Sequence, residues 1–448
     1  MARPRNIILL VADSLRYDTV HGGLVGLPYT EAHAVSYTQA RAAGCWTLPA
    51  TASMFTGLLP HQHGATAQTR AIRTDVPTLA EALGAAGYDG VQVTANMATT
   101  DVFGLHRGFR EVRTIWGLVR ARHSLVDQAM AVLGKPRLRK ALFSRDLLMG
   151  KMAGDMRNTK VWLQHTHQDI FQQARGILRD NEARGVPSFL FLNLMEAHYP
   201  YHIAPDFRMS SPRWWQKLRE LHALWHLGNQ TWLRTGRLGY GEDLLPVLRQ
   251  RQRRAWEDLS GPIDAFVQEL HQDTGNLVVL CSDHGDNFGE QGWYYHFSNV
   301  TDAGNRVPLY WLDHQGRPPR TEPTPVSARD LYGAILDSIG HPQGDPRLLD
   351  APQTSLPLMT SVWYNNHGQT LPRYRHNQLA FLDGGVRYRL REGRWASAPP
   401  QTDGAEPPFV DLPTDVHPIE DAVADPGRRA ELRQILRDFE AFSATLAA

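Results

Sequence analysis

The stretch NIILLVAD, Asn6 to Asp13, sets six consecutive apolar side chains, Ile7 to Ala12, against a terminal carboxylate. A run this short and this uniformly apolar reads as a parallel-type strand buried on both faces, and it delivers Asp13 to the strand's carboxyl end. Four further runs read the same way: Gly90–Thr94, Ser188–Leu194 (SFLFLNL), Asn276–Cys281 (NLVVLC) and Val307–Leu312 (VPLYWL). Between them the pattern turns helical. Thr78–Ala86 (TLAEALGAA) is amphipathic and stops at Gly87, residues 166–184 are polar-amphipathic, and another helix is expected around Val247–Gln272. Apolar strands alternating with helices predict an α/β fold, a doubly wound sheet with helices on both faces. Ligands in such sheets bind beyond the carboxyl ends of the strands. Asp13 and Asp283 both fall at such ends, and so does the loop carrying His198.

The composition narrows the partners. With 448 residues, 42% hydrophobic and 21% charged, the chain belongs to neither the disordered nor the fibrous classes. Its 47 basic and 46 acidic side chains leave a net charge of +1, so no overall field draws it to nucleic acid or to an anionic membrane. Cys45 and Cys281 are too few and too far apart for a disulfide framework, which points to a reducing compartment, the cytoplasm. The first apolar run is cut short by Asp13, too soon for a signal peptide, and no later run approaches a membrane span.

Residues 1–345 are expected to form the main domain and residues 346–448 a small C-terminal α+β subdomain. Two helical insertions are expected in the main domain, at about 110–165 and 207–256. The second holds Trp214, Trp215, Trp225, Trp232 and Trp256, which would either cover a site or pack the insertion onto the domain. Within it, Arg249-Gln-Arg-Gln-Arg-Arg254 reads as a solvated helical face. After Gly340 a Pro-rich stretch reads as a linker. Gln378–Trp395 then reads as strand, Gly-Gly turn, strand, and Pro426–Leu446 as a closing amphipathic helix.

Four constellations carry the chemistry: VADSLRYD (Val11–Asp18), CWTLPATASMFTGLLPHQHG (Cys45–Gly64), NLMEAHYPY (Asn193–Tyr201), and CSDHGDNFGEQG (Cys281–Gly292) followed by His296 and RVPLYW (Arg306–Trp311). In this order and spacing they resemble the sulfatase family within the alkaline phosphatase superfamily. The resemblance runs from about residue 5 to residue 345, through Thr78–Asn96, Phe103–Phe109 and Ser327–Gly340. It implies a metal-dependent enzyme that attacks a small-molecule oxyanion ester with a covalent nucleophile.

Asp13, Asp283 and His284 offer two carboxylates and an imidazole, a mixed O/O/N ligand set that a hydroxyl would complete. Such a set suits Zn or Mn better than Ca, which prefers oxygen alone, with Mg or Ca as the remaining options. Sulfatases carry C-x-P-x-R at the nucleophile, whose Cys becomes formylglycine. Here the proline is Pro49, so the nucleophile position is Thr47 and the Arg position is Thr51; Cys45 lies two residues too early. Thr47 is therefore both the expected nucleophile and the fourth metal ligand. A Thr alkoxide lacks the route by which an aldehyde hydrate expels sulfate, but it suits phosphoryl transfer, where water can open a phosphothreonine. Two further departures point the same way: Ser14 replaces a second Asp, and Thr94-Ala95-Asn96 stands where typical sulfatases carry a Lys. The resemblance places His198 and His296 near the transferred group or its leaving oxygen. It makes His61 and His63 part of a structural turn after the nucleophile helix.

The preferred reading is a hydrolase or transferase at a phosphate or phosphonate ester, acting through Thr47. Its rivals are a sulfate ester hydrolase working without formylglycine and a catalytically silent binding protein of the same fold. Peptide mass spectrometry should find Cys45 unmodified even after co-expression with a formylglycine-generating enzyme. An aldehyde at residue 45 would restore the ordinary sulfatase reading.

Overall fold

The computed structural model describes residues 5–115, 166–201, 232–362, 376–399, 407–413 and 425–447, apart from 24, 200, 274, 315–316 and 384, together with the single positions 227, 374, 418 and 423. Eight strands form the main sheet: β1 (Asn6–Ala12), β2 (Val35–Tyr37), β3 (Asp89–Thr94), β4 (Glu111–Thr114), β5 (Ser188–Leu194), β6 (Asn276–Cys281), β7 (Leu309–Asp313) and β8 (Arg320–Glu322). Their order across the sheet is β8-β2-β7-β6-β1-β5-β3-β4. β1 is central and parallel to both neighbours, with Ala12 opposite Leu194 and Val11 opposite Cys281. Every residue of β1 is buried, as a strand covered on both faces requires.

Alternation along β1 divides the core in two. Ile7, Leu9 and Val11 face one layer, built from α1 (Thr47–Thr56), α2 (Leu79–Ala85) and α5 (Leu331–Asp337). Ile8, Leu10 and Ala12 face the other, built from α3 (Thr166–Arg184) and α4 (Leu245–Gln272). Local signals place the helices. Thr78 accepts from the Glu81 N–H while the Glu81 carboxylate accepts from the Thr78 N–H, a capping box that starts α2, and Gly87 follows its end at φ +90°.

The sheet departs from the expected pattern in places that have physical reasons. β7 is antiparallel to both β6 and β2. The segment between β6 and β7 carries the motif loop and two short helical turns, Glu290–Gly292 and Asp302–Asn305, not a crossover helix, so the chain returns beside the strand it left. β4 lies where the first insertion was expected to begin. It pairs parallel to β3 as an edge strand, and its charged, half-buried sequence EVRT hides it from a hydrophobicity pattern. Residues 116–165 lie outside the described residues, as do Trp214, Trp215 and Trp225. The second insertion ends earlier than expected, because α4 begins at Leu245 and Trp256 packs beside Leu259 and Ile263 against the main sheet. Trp232 is fully buried in the opposite core layer.

Arg249–Arg254 is not a solvated face. Gln252 and Arg251 are buried, and Arg249 pairs with Asp18 at 2.7 Å; Gln250, Arg253 and Arg254 alone face outward. The helix turns one side of this run into the ends of the strands, where acidic side chains of neighbouring loops receive it.

Nor is the Pro-rich stretch a free linker. Leu348 and Leu349 are buried in the main core, and the Tyr37 hydroxyl donates to the Leu348 carbonyl at 2.7 Å. Beyond it an antiparallel sheet forms from β9 (Leu358–Ser361), β10 (Gln378–Asp383), β11 (Val386–Arg391), β12 (Arg394–Ala398) and β13 (Val410–Asp411). The β10–β11 hairpin turns at Gly385, φ +78°. α6 (Pro426–Ala447) lays Leu432, Ile435, Leu436 and Phe439 over Leu358, Phe381 and Trp395. His61 meets α6 at Phe439 and Phe442, with ring centroids 5.5 and 6.3 Å away. His63 bonds Ser53 Oγ at 3.1 Å and accepts from the Ala65 N–H, so both histidines serve packing.

Burial lowers His21 and His61 to about 4 and His63 to about 3. The unfolded chain binds protons at these sites below about pH 6.5 while the folded chain does not, so their contribution to stability is complete above that pH and lost as pH falls toward 4. The denaturant midpoint should therefore drop between pH 7.5 and pH 5, and His61→Leu should reduce the slope. A slope unchanged in His61→Leu would show that this side chain is not part of the effect.

Candidate active site

The site forms where β1, β3, β5 and β6 end together. β1 delivers Asp13 and β6 delivers Asp283, both buried, and the register between these strands sets them side by side. The chain turns sharply after Asp13: Ser14 has φ +59°, a left-handed conformation that a non-glycine residue adopts only when its surroundings hold it there. The holding bonds are visible. The Ser14 N–H donates to Asp283 Oδ1 at 3.2 Å, and the Leu15 N–H donates to Ser282 Oγ at 2.9 Å.

Two amides, neither expected from the sequence, complete the setting of Asp13. Its Oδ2 accepts from Asn96 at 2.6 Å and from Asn193 at 3.2 Å. Burial opposes the charge on Asp13, but the imidazoles of His198 and His284 and these two amides outweigh it and hold the carboxyl below its usual range. Asp283 goes the other way. Burial, and then the charge of Asp13, push it well above that range.

Thr47 is the first residue of α1, after Trp46 in extended conformation, and its hydroxyl points into the site. Thr47 Oγ1 lies 3.3 Å from His284 Nε2 and accepts from Asn96 Nδ2 at 3.2 Å. It stands at the positive end of a ten-residue helix, where backbone dipoles favour negative charge. Cys45 is buried, and burial pushes its thiol up, away from the thiolate a nucleophile needs.

Three histidines crowd the same space. The Nδ1–H of His284 donates to the Gly285 carbonyl at 3.1 Å, which turns Nε2 toward Asp13 Oδ1 at 3.7 Å and Asp283 Oδ2 at 3.5 Å. The Nδ1–H of His198 donates to the Tyr199 carbonyl at 2.8 Å, and its Nε2 lies 4.0 Å from Asp13 Oδ1. His296 pairs through Nδ1 with Asp286 Oδ1 at 2.5 Å, and its ring lies 4.5 Å from that of His284 and 5.1 Å from that of His198. Burial and the two neighbouring imidazoles push His296 well below its ordinary value, so it is neutral near pH 7. Burial raises Asp286 to about 6.

All six side chains expected from the sequence thus converge: Asp13, Thr47, Asp283, His284, His198 and His296. Asn96, Asn193 and Asp286 were missed. Asn96 had stood out only as the place where a lysine is absent, and asparagines carry no spacing signature of their own.

The donor set fits a divalent cation. Asp13, Asp283 and His284 offer ligand atoms within 4.8 Å of one another, and the buried Asp283 Oδ2 has no hydrogen-bond partner. Two facing carboxylates, one pushed strongly toward its proton, are what a dication between them would relieve. His284, Asp286 and His296 lie as close together. With Nδ1 of His284 committed to a carbonyl, its single remaining nitrogen serves one ion, and Asp286 is matched instead to His296.

A family model described as Sulfatase matches residues 5–341. The chain belongs to the sulfatase family. Among curated proteins, Arylsulfatase K of Xenopus laevis is 23% identical over 368 residues, covering 75% of this chain and 63% of that protein. The chain therefore spans under two thirds of that sulfatase's length. Among solved structures, the phosphonate monoester hydrolase of Agrobacterium radiobacter aligns over 98% of this chain and 96% of its own, with TM-score 0.59 and 16% identity. The phosphonate monoester hydrolase of Silicibacter pomeroyi aligns over 98% and 94%, with TM-score 0.57 and 17% identity. An alkaline phosphatase superfamily protein from Vibrio parahaemolyticus aligns over 99% and 89%, with TM-score 0.58 and 12% identity. At such identities the structural matches establish the fold, the mixed α/β sheet with its small antiparallel C-terminal domain.

Asp283→Asn should lower the metal content measured by elemental analysis together with turnover. Asn193→Ala leaves every candidate ligand in place and removes one donor to Asp13. It should weaken metal affinity by about 10-fold, the usual cost of losing such a support. Unchanged metal content in Asp283→Asn would remove Asp283 from the ligand set.

Proposed function

We propose that this sulfatase-family chain is a metal-dependent hydrolase or transferase that acts on a phosphate or phosphonate ester through a covalent intermediate on Thr47. The observation that carries the reading is the Thr47 hydroxyl, held at the start of α1 between Asn96 Nδ2 and His284 Nε2. Asp13, Asp283, His284 and the Thr47 hydroxyl would hold the cation, Zn or Mn by the softness of the set. Once bound, it would supply Lewis-acid stabilisation of oxyanion charge.

The side chains do the rest. Asn96 donates to the Thr47 oxygen, steadying it as it gains charge and again as it is released. Thr47 reacts as its alkoxide, the hydroxyl proton having passed to solvent beforehand: Oγ1 forms the bond to phosphorus while the bond to the leaving oxygen breaks, and the alkoxide is restored at the end of the cycle. His198 is the general acid in its doubly protonated form: its Nδ1–H stays on the Tyr199 carbonyl, and the second proton, on Nε2, is the one that goes to the departing oxygen. Water then attacks phosphorus, its proton passes to the now neutral His198 Nε2, and the Thr47–phosphorus bond breaks. An acceptor alcohol in place of water would make the same chemistry a transfer. His296, neutral and tied to Asp286, is the poorer proton donor and serves to orient the ester.

Several features support phosphorus over sulfur. Asn96 is a neutral amide in the segment where typical sulfatases carry a cation, and phosphonate monoester hydrolases are among the structural neighbours. Threonine cannot expel sulfate as an aldehyde hydrate does. Buried free thiols at Cys45 and Cys281 support a reducing, cytoplasmic setting.

The test compares matched aryl phosphodiester, aryl phosphonate monoester and aryl sulfate on the wild type, Thr47→Ala and Thr47→Ser. Phosphoryl or phosphonyl esters should turn over faster than sulfate. Thr47→Ala should remove nearly all activity while metal content stays near that of the wild type, and Thr47→Ser should keep a measurable share. Faster sulfate cleavage, or wild-type turnover in Thr47→Ala, would sink the mechanism.

A further inference from the structure

We propose that Gln252 is a positioning residue that sets the distance between Asp13 and His198. The inference rests on the roles given to those two side chains above. Gln252 lies on α4 and is completely buried. Its Nε2 donates to the Ser14 carbonyl at 3.0 Å and to the Ala197 carbonyl at 3.2 Å. Ser14 directly follows Asp13, and Ala197 directly precedes His198. Both carbonyls can only accept, so the orientation of the carboxamide is settled by its partners.

The other end of the amide is held as firmly. Gln252 Oε1 accepts from Arg249 Nη1 at 3.0 Å and from Thr19 Oγ1 at 3.2 Å. Arg249 also donates to Thr19 Oγ1 at 2.7 Å and pairs with Asp18 at 2.7 Å. All of the hydrogen-bonding capacity of the carboxamide is therefore used, and every bond beyond Arg249 runs to another part of the chain. If the position needed only to pack, an apolar residue would serve, as Trp256 and Leu259 do further along the same helix.

The placement matters because β1 and β5 are neighbours whose loops part as they leave the sheet, Ala12 being opposite Leu194. Among the described residues, no backbone hydrogen bond joins the two loops beyond that of the Asp13 N–H to the Leu194 carbonyl at 2.9 Å. Gln252 bridges them one residue away from each functional side chain. On the β1 side it grips the carbonyl of Ser14, whose left-handed backbone turns Asp13 into the site. On the β5 side it fixes the residue before His198, whose Nε2 stands 4.0 Å from Asp13 Oδ1.

The experiment measures kcat and metal content for Gln252→Leu, Gln252→Glu and His198→Asn. Each is assayed over a series of leaving groups, from 4-nitrophenol to simple alcohols, on whichever ester class the wild type turns over fastest. Loss of the clamp should leave metal content near that of the wild type. It should lower kcat by about 100-fold on poor leaving groups, the scale of a misplaced catalytic group, and by about 10-fold less on 4-nitrophenol, which needs no acid. Gln252→Glu keeps the size of the side chain while removing its donors, and is read if Gln252→Leu does not fold. A loss uniform across the series, a loss that follows metal content, no loss, or failure of both variants to fold overturns the proposal. Steep leaving-group dependence in His198→Asn with none at Gln252 sinks the clamp alone. A flat response in His198→Asn sinks the general-acid reading itself.

Discussion

Across β1 and β6, Val11 stands opposite Cys281, and that register brings Asp13 and Asp283 together inside the protein. Two buried carboxylates at close range oppose both charging and folding, because neither burial nor a like charge favours ionisation. The surrounding structure answers with asymmetry. Asn96 and Asn193 converge on Asp13, the Ser14 and His284 N–H groups donate to Asp283, and His284 turns Nε2 toward both. The remaining imbalance is of the kind a cation removes, so the same arrangement that costs stability supplies affinity for metal.

The rest of the fold can be seen as support for that pair. α1 brings a hydroxyl and a helix N-terminus from one face of the sheet. From the other face, α4 reaches the strand ends through Arg249 and Gln252. Arg16 adds a third tie. Its guanidinium pairs with Asp18 and Glu290 and donates to the Asp286 carbonyl, joining the loop after β1 to the loop after β6. Loops that bear function are ordinarily the mobile parts of a domain, and here ion pairs made by the buried Arg16 guanidinium make them continuous with the scaffold.

Much of this was legible in the sequence, for reasons that can be named. Fully buried strands are uniformly apolar, so NIILLVA, SFLFLNL and NLVVLC announce themselves, and the polar residues that end them mark the site. Thr47, Asp283, His284 and His198 sit in short motifs that are modest alone and point to one site through their order and spacing together. What escaped lacks such contrast. β2, β4 and β8 are three or four residues long and take their identity from pairing. The direction of β7 is decided by what lies between it and β6, which a local pattern does not contain. Arg249 and Gln252 looked like exposed surface because charge and polarity usually are. Their burial follows from acceptors far away in sequence, at Asp18, Ser14 and Ala197. Asn96 escaped for the same reason, the acceptors of its amide N–H groups being Asp13 and Thr47.

The reversed strand β7 has a consequence for how the wall of the site is held. Because β6 and β7 are adjacent and antiparallel, the segment between them leaves the sheet and re-enters it at one edge of the site. Its two ends are fixed to neighbouring strands regardless of what lies between. The first residues of that segment, Asp283 and His284, are locked to β1, while Asp286 and His296 are carried further out. Beyond that point the segment stays buried: Thr301 donates to Asn287 Oδ1 at 2.7 Å, and Asp302 pairs with Arg41 at 3.1 Å. One wall of the site is therefore a single stretch of chain pinned at both ends and along its length, and it links the main sheet to the C-terminal sheet through Asp302 and Arg387.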